Sequence, residues 1–204
     1  MLVSEVLESE KDKSLLWKEN SRSVLLQTPV LTVLQTESIS PDGKTGKYIV
    51  MDAYDWVVVV PVIENKFVIV RQYRHGSKKI SMEFPGGALE KGEDASEGAR
   101  RELLEETGYM CENLTLLGSF SPNPALMSNR VHIFLAENLK KIADQELDND
   151  EYVQFLELEQ DEVFFKLQND TSTHIFMATA LLLYKEHKNK ASGIENSIEV
   201  KSDD

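Results

Sequence analysis

The chain holds one cysteine, Cys111, in 204 residues, so no disulfide can close within it. That fits a reducing compartment. Basic residues are scarce: 22 Lys and Arg stand against 35 Asp and Glu, for a net charge of −13. No global cationic surface is available to nucleic acid or to an anionic membrane. Long apolar runs are absent as well. The strongest, "WVVVVPVI" (56–63), is far too short to cross a bilayer. The opening "MLVSEVLESEKDKS" has neither the basic start nor the apolar core of a secretion signal. The expected location is the cytoplasm, with no nucleic-acid or membrane partner. What remains is ordinary globular material, 41% apolar and 28% charged. The length suits one large domain, or one domain with a small appendage.

Residues 1–20 are polar apart from Leu15, Leu16 and Trp17, and read as an extended arm or short helix. The stretches 30–39 and 47–53 flank "SPDGKTG", whose Pro and Gly mark a turn, so a β-hairpin is expected. A second hairpin is expected from 56–63 and 66–73, whose β-branched runs look buried on both faces. Pro61 should put the end of its strand at an edge or bulge. A helix should start at Asp94, with Glu97 as capping-box partner, and stop at Gly108. Strands are expected at 114–120, 130–138 and 152–158, and an apolar helix at 172–187. The segment 188–204 has little to bury and reads as a flexible tail. Strands, a central helix, more strands and a closing helix make an α+β or mixed α/β layered domain.

Within the central helix, "RELLEETG" (101–108) sets three glutamates close together. At 3.6 residues per turn, Glu102, Glu105 and Glu106 fall within roughly a 100° arc. Like charges at this spacing destabilise an isolated helix, by about 0.2–0.5 kcal/mol per pair. A solvated face with Arg101 pairing Glu97 and Glu105 would offset part of that. A hard divalent cation held by carboxylate oxygens would offset more, and Mg²⁺ or Mn²⁺ suits oxygen donors best. The preceding "PGG" permits a close backbone approach to the same ion. Other chemistries have little support. His132 alternates with Val131 and Ile133 and reads as a hydrogen-bonded structural histidine. His75, His174 and His187 lack metal or triad spacing, and Cys111 has no histidine pattern beside it.

Gly87, Glu93, Arg101-Glu102-Leu103, Glu105-Glu106 and Gly108 reproduce eight fixed positions over 22 residues of a motif that resembles the box of the Nudix hydrolases. The one departure is Tyr109, where that family usually has an aliphatic residue. "VRQYRHG" (70–76), "MEFPGG" (82–87) and Pro124, fifteen residues past Tyr109, are similar to its branch of ADP-ribose and nucleoside-diphosphate-sugar pyrophosphatases. The resemblance covers about residues 28–187. It implies an α/β/α sandwich around a mixed sheet, preceded by a small antiparallel N-terminal sheet. The implied division is an arm and hairpin over 1–55 that builds a homodimer, and the hydrolase domain over 56–187.

By position, the resemblance implies that Glu102, Glu105 and Glu106 hold metal together with the Gly86 carbonyl. It further implies that Arg101 orients them, with Glu93 as its partner. Arg74 would touch substrate phosphate, although a surface arginine would read the same. Glu151 would bring a further carboxylate, as would Glu105, to take or position the proton of the attacking water. Its neighbours Asp148, Asn149 and Asp150 leave the choice of residue open, and a merely solvated acidic loop would look alike. Related ADP-ribose hydrolases often carry a Pro-Gly pair and then a glutamate, where this chain has Pro124, Ala125 and Asn129. That departure favours a nucleoside-diphosphate hexose over ADP-ribose, unless the loop only shapes the rim. The expected reaction splits a pyrophosphate to a nucleoside monophosphate and a sugar phosphate. A non-catalytic nucleotide sensor should have lost box carboxylates, and none is missing here.

Overall fold

The computed structural model describes residues 10–147, 149, 151–169 and 174–193. It divides into two compact units, residues 1–54 with 121–130, and residues 55–120 with 131–204.

The first unit begins with a short helix α1 (Glu10–Lys13), followed by β1 (Lys18–Gln27), β2 (Leu31–Ile39) and β3 (Thr45–Ala53). The three strands form an antiparallel sheet in the order β1-β2-β3. The expected hairpin is β2–β3, in register from Leu31↔Ala53 to Ile39↔Thr45. Its connection closes on Ser40 and Lys44, with Gly43 in the left-handed region at φ 84°. The stretch read as an extended arm or short helix contains the short helix α1, while strand β1 was not foreseen. That strand takes only residues 18–20 of the arm and runs on to Gln27; it is polar at its start and exposed along its whole length, so it carries no burial period to read.

The second unit contains β4 (Trp56–Ile63), β5 (Lys66–Arg74), β6 (Lys79–Glu83), β7 (Tyr109–Phe120), β8 (Val131–Lys141) and β9 (Gln154–Glu159). Their order is β6-β5-β4-β8-β7, with β9 also on β5. The β4–β5 hairpin is shorter than expected. Only Val62↔Phe67 and Ile63↔Lys66 pair, because β4 runs parallel to β8 from Trp56↔Val131 to Pro61↔Ala136. Pro61 therefore sits at the changeover between the two ladders rather than on an outer edge.

Three helices flank this sheet: α2 (Ala95–Thr107), α3 (Gln160–Asn169) and α4 (Ile175–Ala191). Alternation along β4 divides the core in two. Val57 and Val59 pack with Val68, Ala99 and Leu103 on the α2 side. Val58 and Val60 pack with Phe67, Ile69, Val163, Met177, Leu181 and Tyr184 on the α3 and α4 side. This is the α/β/α sandwich around a mixed sheet.

Asp94 caps α2 by accepting from the Ser96 N–H, and Gly108 ends it at φ 69°. A Cβ there would lie 2.0 Å from the Ala143 carbonyl oxygen, so only glycine fits. Two helices differ from expectation. α3 was not foreseen, since Val163 is its one buried residue. α4 extends past His187 to Ala191, taking the first residues of the expected flexible tail. Residues 1–9, 170–173 and 194–204, with Asp148 and Asp150, lie outside the described residues, so the readings placed on them do too. No helix among the described residues is long and apolar enough to cross a membrane.

Candidate active site

The site is built where the loop after β6 meets α2. Residues 85–87 run alongside β4: the Val59 N–H donates to the Pro85 carbonyl (2.8 Å) and the Val57 N–H to that of Gly87 (2.9 Å). Between them Gly86 turns its N–H to Glu106 Oε2 at 2.8 Å. Gly86 is sterically required, while a side chain on Gly87 would have to displace the Glu102 carboxylate. A Cβ on Gly86 would sit 2.1 Å from the Val57 carbonyl oxygen, and its φ of 154° is one L-residues rarely adopt. A Cβ on Gly87 would lie 2.5 Å from Glu102 Oε1. The "PGG" of the sequence is thus a seat for two carboxylates of α2.

The helix presents those carboxylates in different environments. Glu106 is 4% exposed, and burial pushes its pKa up to about 8, with Glu102 and Glu151 adding like charge. The Gly86 N–H and Arg74 act in the opposite direction without overcoming it. Glu102 is raised too, first by burial and then by Glu105 and Glu151, against the pull of Arg101. Arg101 reaches three carboxylates: Glu93 at 2.9 and 3.0 Å, Glu102 at 2.9 Å and Glu105 at 3.0 Å. Its charged form is strongly favoured, chiefly by Glu93, and Glu93 is held below the usual carboxylate range by the same contact.

Arg74, on β5, is joined in a two-pronged pair to Glu83 on β6, at 2.8 and 2.5 Å. Glu83 is the chief reason its pKa is raised, and Glu106 and Glu151 add to it. Burial pushes the Glu83 carboxyl up, but Arg74 and Ser81 outweigh it and hold it below its usual value. Glu83 was missed in the sequence, where the only signal was its place directly before "FPGG". Glu151, in the acidic stretch before β9, acts electrostatically on Glu102, Glu106 and Arg74 alike. These groups are therefore brought together. Pro124 and Asn129 belong to the first unit. Pro124 is exposed, whereas Asn129 is 3% exposed and donates from Nδ2 to the Tyr54 carbonyl at 2.9 Å. Its Oδ1 is buried without a hydrogen-bond partner. His132 contacts Asp55 at 3.2 Å, the hydrogen-bonded histidine expected of its strand.

No group of three His, Cys, Asp or Glu among the described residues forms a ready-made metal cluster. Glu102 and Glu105 are turned to Arg101, and Glu106 to Gly86. The donors nevertheless fit a hard divalent cation. They are all oxygens, they crowd against a backbone from which Cβ atoms are excluded, and burial and mutual repulsion disfavour their charge. A bound cation relieves that cost.

Residues 53–177 match the family model of the NUDIX domain. The chain is 41% identical over 132 residues to the methanol dehydrogenase activator of Bacillus methanolicus, covering 63% of this chain and 71% of that protein. It is 35% identical over 148 residues to the ADP-ribose pyrophosphatase of Bacillus subtilis (strain 168), covering 72% and 80%. A crystal structure of an ADP compounds hydrolase superposes with a TM-score of 0.76 at 24% identity, over 89% of this chain and 98% of that one. At that identity the superposition speaks for the fold.

Proposed function

The chain belongs to the Nudix family, and from that premise we propose that it hydrolyses the pyrophosphate bond of ADP-ribose or a nucleoside diphosphate sugar, releasing a nucleoside monophosphate and a sugar phosphate. The observation that carries this reading is the array of α2 carboxylates, Glu106 on the Gly86 N–H and Glu102 and Glu105 on Arg101, with Arg74 paired to Glu83 directly before the same glycine loop. The pyrophosphatase relative supports the reaction class.

Glu102, Glu105 and Glu106, with the Gly86 carbonyl, are the groups that would hold a divalent metal, Mg²⁺ or Mn²⁺. When bound, such a cation neutralises pyrophosphate charge and makes a water molecule more acidic. The residues supply the rest. The Gly86 N–H fixes the orientation of the Glu106 carboxylate. Arg101 gathers Glu93, Glu102 and Glu105 into one array. Arg74, braced by Glu83, offers its remaining guanidinium donors to phosphate. Glu151 or Glu105 accepts the proton of the attacking water. Buried neighbours lower the local dielectric and strengthen each contact.

Selectivity for the sugar is assigned to Pro124 and Asn129. Asn129 and Pro124 shape a loop of the first unit, with the Asn129 amide spent on Tyr54. An Asn129 without a negative charge favours a hexose conjugate over ADP-ribose. Residues 1–55 are read as the seat of a homodimer, because Val24, Leu25 and Leu26 of β1 are 60%, 54% and 56% exposed. The lone free cysteine and the absence of apolar spans among the described helices support a cytoplasmic enzyme.

The test is a panel of ADP-ribose, GDP-mannose, ADP-glucose, dinucleotides and nucleoside triphosphates with Mg²⁺, products resolved by chromatography. The reading expects nucleoside monophosphate from a nucleotide sugar. Turnover of triphosphates alone contradicts it. A preference for ADP-ribose of about tenfold or more, near 1.4 kcal/mol in transition-state binding, removes the hexose assignment and leaves the reaction standing.

A further inference from the structure

The last carbonyls of a helix have no partners within it and must find them elsewhere. In α2, the helix of the candidate site, they are met by one distant segment. The Glu146 N–H donates to the Glu105 carbonyl at 2.9 Å, and Gln145 Nε2 to the Glu106 carbonyl at 2.6 Å. Lys141 Nζ donates to the Thr107 carbonyl at 2.5 Å, and the Ile142 N–H to that of Gly108 at 3.0 Å. Backbone donors and the lysine would serve in any sequence that placed them here. Gln145 does something more.

The same Gln145 nitrogen also donates to the Val153 carbonyl at 3.3 Å. An amide NH₂ has two hydrogens, and here each faces a carbonyl. The opposite rotamer would set Oε1 against two oxygens, so the orientation is fixed by chemistry. One end of the link is the backbone of Glu106, the most buried carboxylate of the site. The other end lies two residues past Glu151, whose charge is felt by Glu102, Glu106 and Arg74. Residues 145 and 153 thus close the base of the stretch that carries Glu151, and tie it to the helix that carries Glu102 and Glu106.

We propose that Gln145 is a positioning residue for hydrolysis: its amide fastens the Glu151 segment to the C-terminal end of α2 and so holds Glu151 against Glu102 and Glu106. The assignment rests on the pyrophosphatase reading above. It makes Gln145 act through Glu151, without touching substrate. Misplacement of a reacting group by about 1 Å can cost as much as 100-fold in rate, so a single side-chain link is enough to matter.

The experiment is a double-mutant cycle in the full chain with Mg²⁺, using the best nucleotide sugar of the panel. Gln145→Ala is expected to lower kcat about tenfold with KM within about twofold, since substrate contacts are intact. Gln145→Lys restores donors to both carbonyls and should recover kcat to within about threefold of the parent. Gln145→Glu, which turns an acceptor toward two carbonyl oxygens, should do no better than Ala. In a Glu151→Gln background, Gln145→Ala should cost less than about twofold, because the group it positions is already disabled. Equal losses in both backgrounds overturn the proposal, as does a change confined to KM. Melting curves distinguish general unfolding: if Gln145→Ala melts far below the parent, the Lys variant and its cycle with Glu151→Gln carry the decision. An unchanged rate in Glu151→Gln alone overturns the role of Gln145 while leaving the pyrophosphatase reaction intact. Absence of nucleotide-sugar turnover in the parent removes the reaction itself.

Discussion

The central sheet and the outer strand of the N-terminal sheet use apolar residues in opposite ways. In the central sheet Val57, Val59, Val60 and Phe67 through Val70 are sealed, and alternate side chains serve two separate cores. In the N-terminal sheet β1 exposes every residue, including Val24, Leu25 and Leu26. A sealed sheet is a platform, and on it the helix α2 can hold buried carboxylates at the cost of their preferred charge. An exposed apolar strand is an unfinished surface, and a second copy of the chain is its proposed cover. Stability and catalysis should therefore be sensitive to one sheet, and association to the other.

The largest effect expected is on the platform's chemistry. Removal of divalent metal with a chelator should abolish turnover, and Mg²⁺ should restore it, because the carboxylates of Glu102 and Glu106 cannot themselves neutralise the charge of a pyrophosphate. Turnover that persists after exhaustive chelation breaks the metal assignment.

The next contrast uses similar truncations in the two sheets. Ile69→Ala in β5 removes a fully buried side chain and should cost about 2–5 kcal/mol in urea unfolding. Leu25→Ala in β1 should cost no more than about 0.5 kcal/mol in the dissociated chain. Equal costs would erase the distinction between the sheets.

Association provides the third measure. Light scattering at micromolar concentration should give the mass of a dimer for the parent and of a single chain for Leu25→Arg, since burying an unpaired cation is costly. A parent that scatters as a single chain removes the dimer.

The smallest effect is a pH dependence at the edge of the platform. Burial, then the hydrogen bond to Glu157, raises the Tyr109 phenol to about 12 from its usual value near 10. The fold thus favours the neutral phenol. Its contribution is complete below pH 10 and is lost as pH climbs from 10 toward 12. Tyr109→Phe should start lower by about 1 kcal/mol for the lost hydrogen bond, and then fall less steeply between pH 9 and 11. The difference of denaturation midpoints at those two pH values reads it directly.

The sequence was legible where signals are local and burial is two-sided. The valine run of β4 announced a strand sealed on both faces, and Asp94 and Gly108 marked the ends of α2. The three box glutamates and Arg101 stood out because they lie within one and a half turns of a helix. The remainder was hidden for identifiable reasons. β1 has no burial period because it has no buried face. α3 fully buries only Val163, so its apolar stripe is weak. The Arg74–Glu83 pair depends on β5 and β6 lying in register, from Val70↔Glu83 to Arg74↔Lys79. The clasp of Gln145 on Glu106 joins residues far apart in the chain, and the acidic character of 143–151 concealed it. Contacts closed by topology leave no mark on a short window of sequence.

The central claim is that the buried carboxylates of α2 perform the hydrolysis, and Glu106→Gln tests it most directly. Gln keeps the shape and removes a charge that burial already disfavours, so circular dichroism and melting should match the parent. The account predicts that kcat for release of nucleoside monophosphate with Mg²⁺ falls by about three orders of magnitude or more, the loss of one charge at every contact with metal. A folded Glu106→Gln protein that turns over at the parental rate would contradict it.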